Sequence, residues 1–355
     1  MRTLLKSIEE IPEKLKNVCD NRQDIYDKLK AYVGEKKIGK ILIVGSGTSY
    51  NAALTTKMFG EKVLNVPVEI MYPNDFYHYY NKSFLTDDVL TIFISQTGST
   101  KLVYDSLVLV KNLGLMNIAI TENSDSAIAK EASLDLDMGT GIEEYVYRTI
   151  GYSTTCATMY LVYLNLLRVD KGISPEAYDG YILDFMKAVS SIEGITARTH
   201  IWYEKHAEAI SSFNKFIFAG AADLLPVAME ADIKFMEMVP VFTNSFEMEE
   251  LIHGPQNAFD ESIGYFLISK SGVDSEKAGR IAAFIRGEIG ENAILVGDVE
   301  ACDMDIFIDY ASENFYPLEA ITALQVLAYR ISVDRGRDLS VRINSSINNY
   351  ITKLL

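Results

Sequence analysis

Two short segments of this chain combine glycine with hydroxyl side chains as phosphate-binding turns do. Gly45-Ser46-Gly47-Thr48-Ser49 and Ser95-Gln96-Thr97-Gly98-Ser99-Thr100 each follow an apolar run. Glycine permits the tight turn, and Ser and Thr hydroxyls can donate to phosphate oxygens. A helix opening directly afterwards would add free backbone N–H groups and a partial positive charge. Ser and Thr are also favoured N-caps, so one such turn alone would be ambiguous. Further on, Glu230, Lys234 and Glu237 stand at i, i+4 and i+7 and share one helix face. Spacing alone favours an exposed face with an ordinary Glu–Lys pair there. Sixteen residues beyond Glu237, however, comes His253, within Glu250-Leu251-Ile252-His253-Gly254-Pro255. A carboxylate and an imidazole separated by a strand and a short helix can converge on one cleft and move protons near neutral pH.

Both turns recur later in the chain. Residues 40–47 read like residues 215–222, Val66-Pro67-Val68 like Val239-Pro240-Val241, and Ile94–Thr100 like Ile268–Asp274. The offsets are 175, 173 and 174 residues (Gly45 to Gly220, Pro67 to Pro240, Gly98 to Gly272), so the chain reads as an internal duplication. The copies differ in chemistry. The first carries Thr48, Ser49, Ser95, Thr97, Ser99 and Thr100; the second carries Asp223, Val273 and Asp274. Carboxylates repel a phosphate, so the phosphate site is expected in the first copy.

The elements that must position these residues follow from periodicity. Leu4, Leu5, Ile8, Ile11, Leu15 and Val18 recur at helical steps, so residues 1–37 read as helical. Strands are expected at 40–44, 67–71, 89–95, 116–121 and 134–138, with helices at 49–64 and 99–113. Alternating strands and helices imply a parallel, doubly wound sheet. Residues 143–212 are mostly helical sequence and read as a bridge between lobes that contributes to a subunit contact. The second lobe reads as strand 215–220, helix 225–238, strand 240–243, short helix 246–252, strand 264–269, helix 274–288, strands 292–296 and 305–308, and a last helix 313–334. The domains expected are a helical segment 1–37, a phosphate-binding domain 38–170, a helical connector 171–212, a second domain 213–335 with the catalytic helix, and a tail 336–355.

Composition narrows the classes. The 355 residues suit two domains, and 48% hydrophobic residues can fill two cores. No run of eighteen uncharged apolar residues suggests a membrane span. A net charge of −16 argues against nucleic-acid binding and leaves a phosphate to be held by local dipoles and hydroxyls. Cys19, Cys156 and Cys302 are few, odd in number and far apart, which points to free thiols and a cytoplasmic setting. His78, His200 and His206 lie in no motif and read as surface or packing residues. Neither a metal nor a cofactor is expected.

The two turns also carry a resemblance. Gly47-Thr48-Ser49 followed by Ser95–Thr100 resembles the sugar isomerase (SIS) domain, whose second loop is close to Ser-Gln-Ser-Gly-Glu-Thr. The tandem arrangement resembles the isomerase half of glucosamine-6-phosphate synthase and the related fructosamine-6-phosphate deglycases, over roughly residues 38–340. The resemblance implies an α/β fold of two tandem SIS domains. Each would be a five-stranded parallel sheet flanked by helices, doubly wound and flavodoxin-like. It implies that Ser49, Ser95, Gln96, Thr97 and Thr100 hold a sugar 6-phosphate, with Thr48 close by. Pro226–Glu237 resembles the family's Pro-Ile-Ala-Leu-Glu-Gly-Ala-Leu-Lys-Leu-Lys-Glu helix, and Glu250–Pro255 its Glu-Leu-Lys-His-Gly-Pro motif. By resemblance, Glu237 moves a proton between C1 and C2, His253 serves ring opening, and Glu230 and Lys234 lie near the substrate. Because that histidine can come from a neighbouring subunit in the family, a homodimer or higher homo-oligomer is implied.

Glu143-Glu144-Tyr145-Val146-Tyr147-Arg148-Thr149 occupies the place of the family's sugar-closing loop but departs from it, with Arg148 for a small hydroxyl residue and Ile150 for a lysine. Arg148 either meets a carboxylate on the substrate's amino-acid part or pairs with Glu143 or Glu144. The chain begins Met1-Arg2-Thr3, so the synthase's glutaminase domain is not expected. No lysine stands where the synthase forms its Schiff base; the tail runs Arg342-Ile343-Asn344-Ser345-Ser346-Ile347, and Lys353 is the first lysine after it. These departures favour a fructosamine-6-phosphate deglycase releasing glucose 6-phosphate and an amino acid. The alternatives are a phosphosugar aldose–ketose isomerase or glucosamine-6-phosphate deaminase on the same site, and a non-catalytic sugar-phosphate sensor.

Overall fold

A computed structural model describes residues 4–355 except Ile142, Glu144, Val146 and Lys171, and omits the side chain of Asp170. The chain divides into two compact units. The first lobe comprises Glu13–Ile182 and Val341–Leu355; the second comprises Leu183–Ser340 together with the residues up to Pro12. The 336–355 tail of the sequence reading is therefore split, with residues from Val341 onward in the first lobe.

Three helices open the chain: α1 (Leu4–Glu9), α2 (Ile11–Asp20) and α3 (Arg22–Val33). There follow β1 (Lys40–Gly45), α4 (Thr48–Leu64), β2 (Val68–Met71), α5 (Pro73–His78), β3 (Val89–Ile94), α6 (Lys101–Asn112), β4 (Asn117–Thr121), α7 (Ala127–Glu131) and β5 (Asp135–Asp137). Two long helices come next, α8 (Ile150–Asp170) and α9 (Pro175–Ser212). The second series is β6 (Lys215–Gly220), α10 (Leu225–Met238), β7 (Thr243–Glu247), β8 (Ile263–Ser269), α11 (Val273–Glu288), β9 (Ala293–Gly297), β10 (Ile306–Phe307) and α12 (Tyr316–Asp334).

Each lobe holds one five-stranded, all-parallel sheet. The orders are β2-β1-β3-β4-β5 and β10-β9-β8-β6-β7. Read from its β7 edge, the second repeats the first, the flavodoxin-type order expected of both copies. Helices cover both faces of such a sheet, so its central strands are apolar throughout. All six residues of β3 and all seven of β8 are buried. No described helix is long and apolar enough to cross a membrane.

Two sequence expectations need correction. Helix α8 falls within residues 143–212, read as a bridge between lobes, but its residues 150–166 are instead buried and lie in the first lobe. Its Tyr163 ring lies against Gly60 of α4, where an added Cβ would sit 2.7 Å from the ring, so α4 and α8 approach as closely as they do because residue 60 has no side chain. The strand expected at 240–243 begins instead at Thr243, and the helix expected at 246–252 is only a 3-10 turn, Glu250–Ile252. The Val-Pro-Val match is out of step with the sheet. Lys40 to Lys215 and Val68 to Thr243 both give 175 residues, so the true strand repeat starts beyond Val241. Pro240 has no N–H to give a ladder, whereas Thr243 and Ser245 fasten β7 by donating to the Asp232 carboxylate of α10. Burial pushes the Asp232 carboxyl up from its usual range.

Candidate functional site

The two hydroxyl-rich turns start side by side. Gly45 is in register with Ile94 in the β1–β3 pair, so the chain leaves adjacent strands at the same edge. That carboxyl edge is where parallel α/β sheets receive ligands. Gly47 takes φ 56° and opens α4, placing Thr48 and Ser49 in its first turn, both half-buried. In the second turn Ser95 is buried and Thr100 is the N-cap of α6. Their hydroxyls lie 3.0 Å apart, and those of Thr97 and Ser99 lie 2.8 Å apart. Gly98 is required twice over. Its φ is 65°, and a Cβ there would come 2.0 Å from Ser126 Oγ, the cap of α7. Among the described residues the Thr97 backbone N–H makes no internal hydrogen bond, leaving a donor at the mouth of the turn.

Gln96 has a different role from its neighbours. Its Nε2 donates to Glu122 Oε2 (2.8 Å) and to Glu143 Oε2 (2.9 Å). Glu143 is buried and caps α8. Its carboxylate accepts from the N–H groups of Thr149 (2.8 Å), Ile150 (3.1 Å) and Gly151 (3.1 Å), and from the Thr149 hydroxyl (3.3 Å). A carboxylate at a helix N-terminus satisfies orphan donors and meets the favourable end of the helix dipole. Gln96 is thus a brace joining the turn to α8. Burial raises the Glu122 carboxyl, and the neighbouring Glu143 charge adds to the shift. Arg148 donates to the Glu143 carbonyl (2.5 Å), not to its carboxylate; Glu144 lies outside the described residues.

The C-terminal segment reaches the same turn. Lys101 N donates to Lys353 O (3.1 Å), Leu355 N donates to Ser99 O (2.9 Å), and Thr100 pairs with Leu354 in an antiparallel bridge. The first N–H of α6 is therefore occupied by backbone rather than left to a ligand.

The second lobe shows what became of the duplicate turns. Ala222, matching Gly47, keeps the left-handed conformation (φ 52°) without being glycine. Ser271, matching Thr97, gives its N–H and its hydroxyl to Asp298 Oδ1 and Oδ2, each at 2.6 Å. The protein's own carboxylate has taken the backbone donor that, among the described residues, has no internal partner at Thr97 in the first lobe.

On α10 the exposed-face reading of Glu230 and Lys234 fails. Their side chains are 0% and 1% exposed. Lys234 Nζ lies 2.7 Å from Glu237 Oε2 and 3.5 Å from Glu230 Oε1. The lysine belongs to the inward stripe of Val227, Ala231 and Met238, spaced at 4, 3 and 4. A buried ammonium requires carboxylate partners; Glu230 supplies one from inside, and Glu237, 39% exposed, supplies one at the surface. His253 follows the 3-10 turn after β7 and is exposed. Its Nε2 lies 3.3 Å from Glu249 Oε1, and Glu249 also pairs with Lys277. Those two contacts hold the Glu249 carboxyl below its usual range. Among the described residues His253 is paired with Glu249, and no direct hydrogen bond or ion pair joins it to Glu237. Of the remaining histidines, His78 packs edge-on to Tyr77, His200 meets Arg330, and His206 lies against Trp202.

Sequence reasoning missed the anchoring role of Glu143, whose capping contacts lie six to eight residues ahead rather than at the usual three. It also missed Asp298, which only the fold brings to Ser271.

Residues 36–167 match the family model of the SIS domain, so the first lobe carries an SIS domain. The paired sheets give the whole chain the fold of tandem SIS domains. A candidate phosphosugar isomerase from Clostridium difficile 630 superposes with a TM-score of 0.91 at 23% identity, covering 98% of this chain and 97% of that one. The C-terminal domain of glucosamine-fructose-6-phosphate aminotransferase from Francisella tularensis gives 0.83 at 22% identity, covering 95% and 97%. At these identities the likeness speaks for the fold. In sequence, the glutamine–fructose-6-phosphate aminotransferase of Thermotoga maritima is 26% identical over 351 residues, covering 94% of this chain and 56% of the relative. The chain spans about half the length of the curated relatives it matches.

Proposed function

We propose that the chain is a phosphosugar enzyme, and that its reaction is the release of glucose 6-phosphate and an amino acid from a fructosamine 6-phosphate. One observation carries the phosphosugar reading: among the described residues the Thr97 N–H makes no internal hydrogen bond in the first lobe, while Asp298 takes both the N–H and the hydroxyl of its counterpart Ser271 in the second. The deglycase reading rests on resemblance and on the absence of a lysine between Arg342 and Thr352. An aminated ketose already carries its nitrogen and needs no Schiff-base lysine.

In this reading the phosphate sits at Ser49, Ser95, Thr97 and Thr100, with Gln96 bracing the turn from behind. His253, from this chain or a second copy, assists ring opening at the ring oxygen. Glu237 takes the C1 proton to give an enaminol and returns it at C2, leaving an imine at C1. Water adds to that carbon, and the carbinolamine expels the amine, giving the aldose phosphate and the free amino acid. General acid–base groups of this kind contribute about 10²–10⁴-fold each.

The test is glucose 6-phosphate release from fructosamine 6-phosphates, followed with a coupled dehydrogenase, beside Glu237→Gln. Release by the parent protein and a kcat at least about 10²-fold lower in the variant are expected. Binding of sugar phosphates without release would remove the deglycase reading. The glucosamine-6-phosphate deaminase of Thermotoga maritima has the same fold (TM-score 0.71, 23% identity, 93% of this chain and 97% of that one covered). Deamination and aldose–ketose isomerisation are therefore the reactions to assay next.

A further inference from the structure

The ends of α2, α3, α8 and α9 in the first lobe enclose a cavity of about 550 Å³ that the reading above does not use. Its volume is within the range of small-molecule sites. Arg22 and Arg168 line it, as do Asp20 and Asp179, with Tyr26 and Tyr178 forming walls. Arg168 is unusually fixed. Its guanidinium lies 3.8 Å from the centre of the Tyr26 ring and 4.6 Å from that of Tyr178, and Nη1 donates to Asn165 Oδ1 at 3.2 Å. Asn165 is fully buried and also accepts from the Tyr178 hydroxyl at 3.1 Å. Arg22 is tethered through Nη1 to the Cys19 carbonyl at 3.0 Å.

None of these four charged groups makes an ion pair within 4.0 Å among the described residues. In a chain with 49 acidic and 33 basic residues, an arginine has many carboxylates to choose from. Two half-buried arginines without one among the described residues, in a cavity that also holds two aspartates, are charges kept apart. A guanidinium held against two aromatic rings loses little freedom on binding and presents the planar fork that a carboxylate matches. The exposed aspartates would meet an ammonium. We infer that this cavity binds a free α-amino acid, its carboxylate on Arg22 and Arg168 and its ammonium on Asp20 and Asp179. The inference does not depend on which sugar phosphate, if any, the turns hold.

Titration calorimetry of the full chain with L-alanine tests it, with acetate and methylammonium as the two half-ligands. Alanine should bind saturably and at least tenfold more tightly than either half. Arg168→Met and Asp179→Asn should each weaken it at least tenfold, with thermal melts near the parent's. Saturating glucose 6-phosphate should leave alanine affinity unchanged. The inference is overturned if alanine fails to bind, if acetate or inorganic phosphate binds as tightly, if the variants bind normally, or if glucose 6-phosphate displaces alanine. Asp179 is exposed and its side chain makes no hydrogen bond or ion pair among the described residues, so its variant decides the matter even if Arg168→Met does not fold.

Discussion

Replacing Glu143 by glutamine isolates the charge that ties α8 to the phosphate turn. The substitution keeps shape and one acceptor oxygen. With that oxygen toward the Thr149 and Ile150 N–H groups, the new amide NH₂ faces the Gly151 N–H and Gln96 Nε2, both donors. Flipping Gln96 would not relieve this, because its oxygen would then face the Glu122 carboxylate that Nε2 now serves. Two hydrogen bonds to a charged acceptor are lost, at about 1.5–3 kcal/mol each, and the charge at the α8 N-terminus is worth about 0.3–2 kcal/mol more. A loss of about 4 kcal/mol in first-lobe stability is expected. Urea unfolding followed by circular dichroism measures it, and fluorescence of Trp202, the single tryptophan and a second-lobe residue, serves as control. The Trp202 transition should stay put while the other moves, and sugar-phosphate binding should weaken as Gln96 loses its brace. A loss below about 1 kcal/mol would refute the reasoning, since it would mean these donors are served as well without the charge.

Two further outcomes follow from particular atoms. Gly98→Ala should cost about 3 kcal/mol and abolish sugar-phosphate binding, because a left-handed φ and a Cβ 2.0 Å from Ser126 Oγ act together. Gly47→Ala, with similar φ but nothing within 4 Å, should cost only about 1 kcal/mol; chemical denaturation of the pair compares them directly. Glu319 gives a pH dependence. Burial on α12, with the Asp184 charge adding to it, pushes its carboxyl up from 4.5 to about 7. Between those values the folded chain holds a proton that the unfolded chain has released. Stability from this group is therefore full below pH 4.5 and falls as pH rises toward 7, by roughly 3 kcal/mol. Second-lobe melts across that window should show the slope, and Glu319→Gln should flatten it.

The strand positions were legible because fully buried parallel strands leave unbroken apolar runs, and β1, β3, β6 and β8 lie within a residue or two of where those runs place them; their order in the sheet came from the family resemblance. The misreading around β7 has a specific cause. Val239-Pro240-Val241 repeats Val66-Pro67-Val68 by residue type but not by position in the sheet, and pairing is decided by the backbone donors that Pro240 lacks. The hydroxyl turns could be placed at strand–helix junctions from composition, since tight turns need few residue types. The buried lysine could not be assigned from the i, i+4, i+7 spacing of Glu230, Lys234 and Glu237, which says that they share a face but not that it points inward. The apolar stripe through Val227, Ala231 and Met238 contained that information. The bracing contacts of Gln96 were not legible: its side-chain partners, Glu122 and Glu143, are 26 and 47 residues away and meet it only in the folded lobe.

Asp298 makes the second lobe its own ligand. A turn whose donors are permanently filled by a tethered anion has the same stability whatever the solution contains. A turn that waits for a diffusible anion gains stability only in proportion to occupancy. The two halves of one duplicated chain should therefore differ in kind as well as in affinity. Added sugar phosphate would raise the melting point of the first lobe and leave the second where it was. If the proposed phosphate site holds, the copy with its own carboxylate is constant scaffold and the other responds to ligand supply.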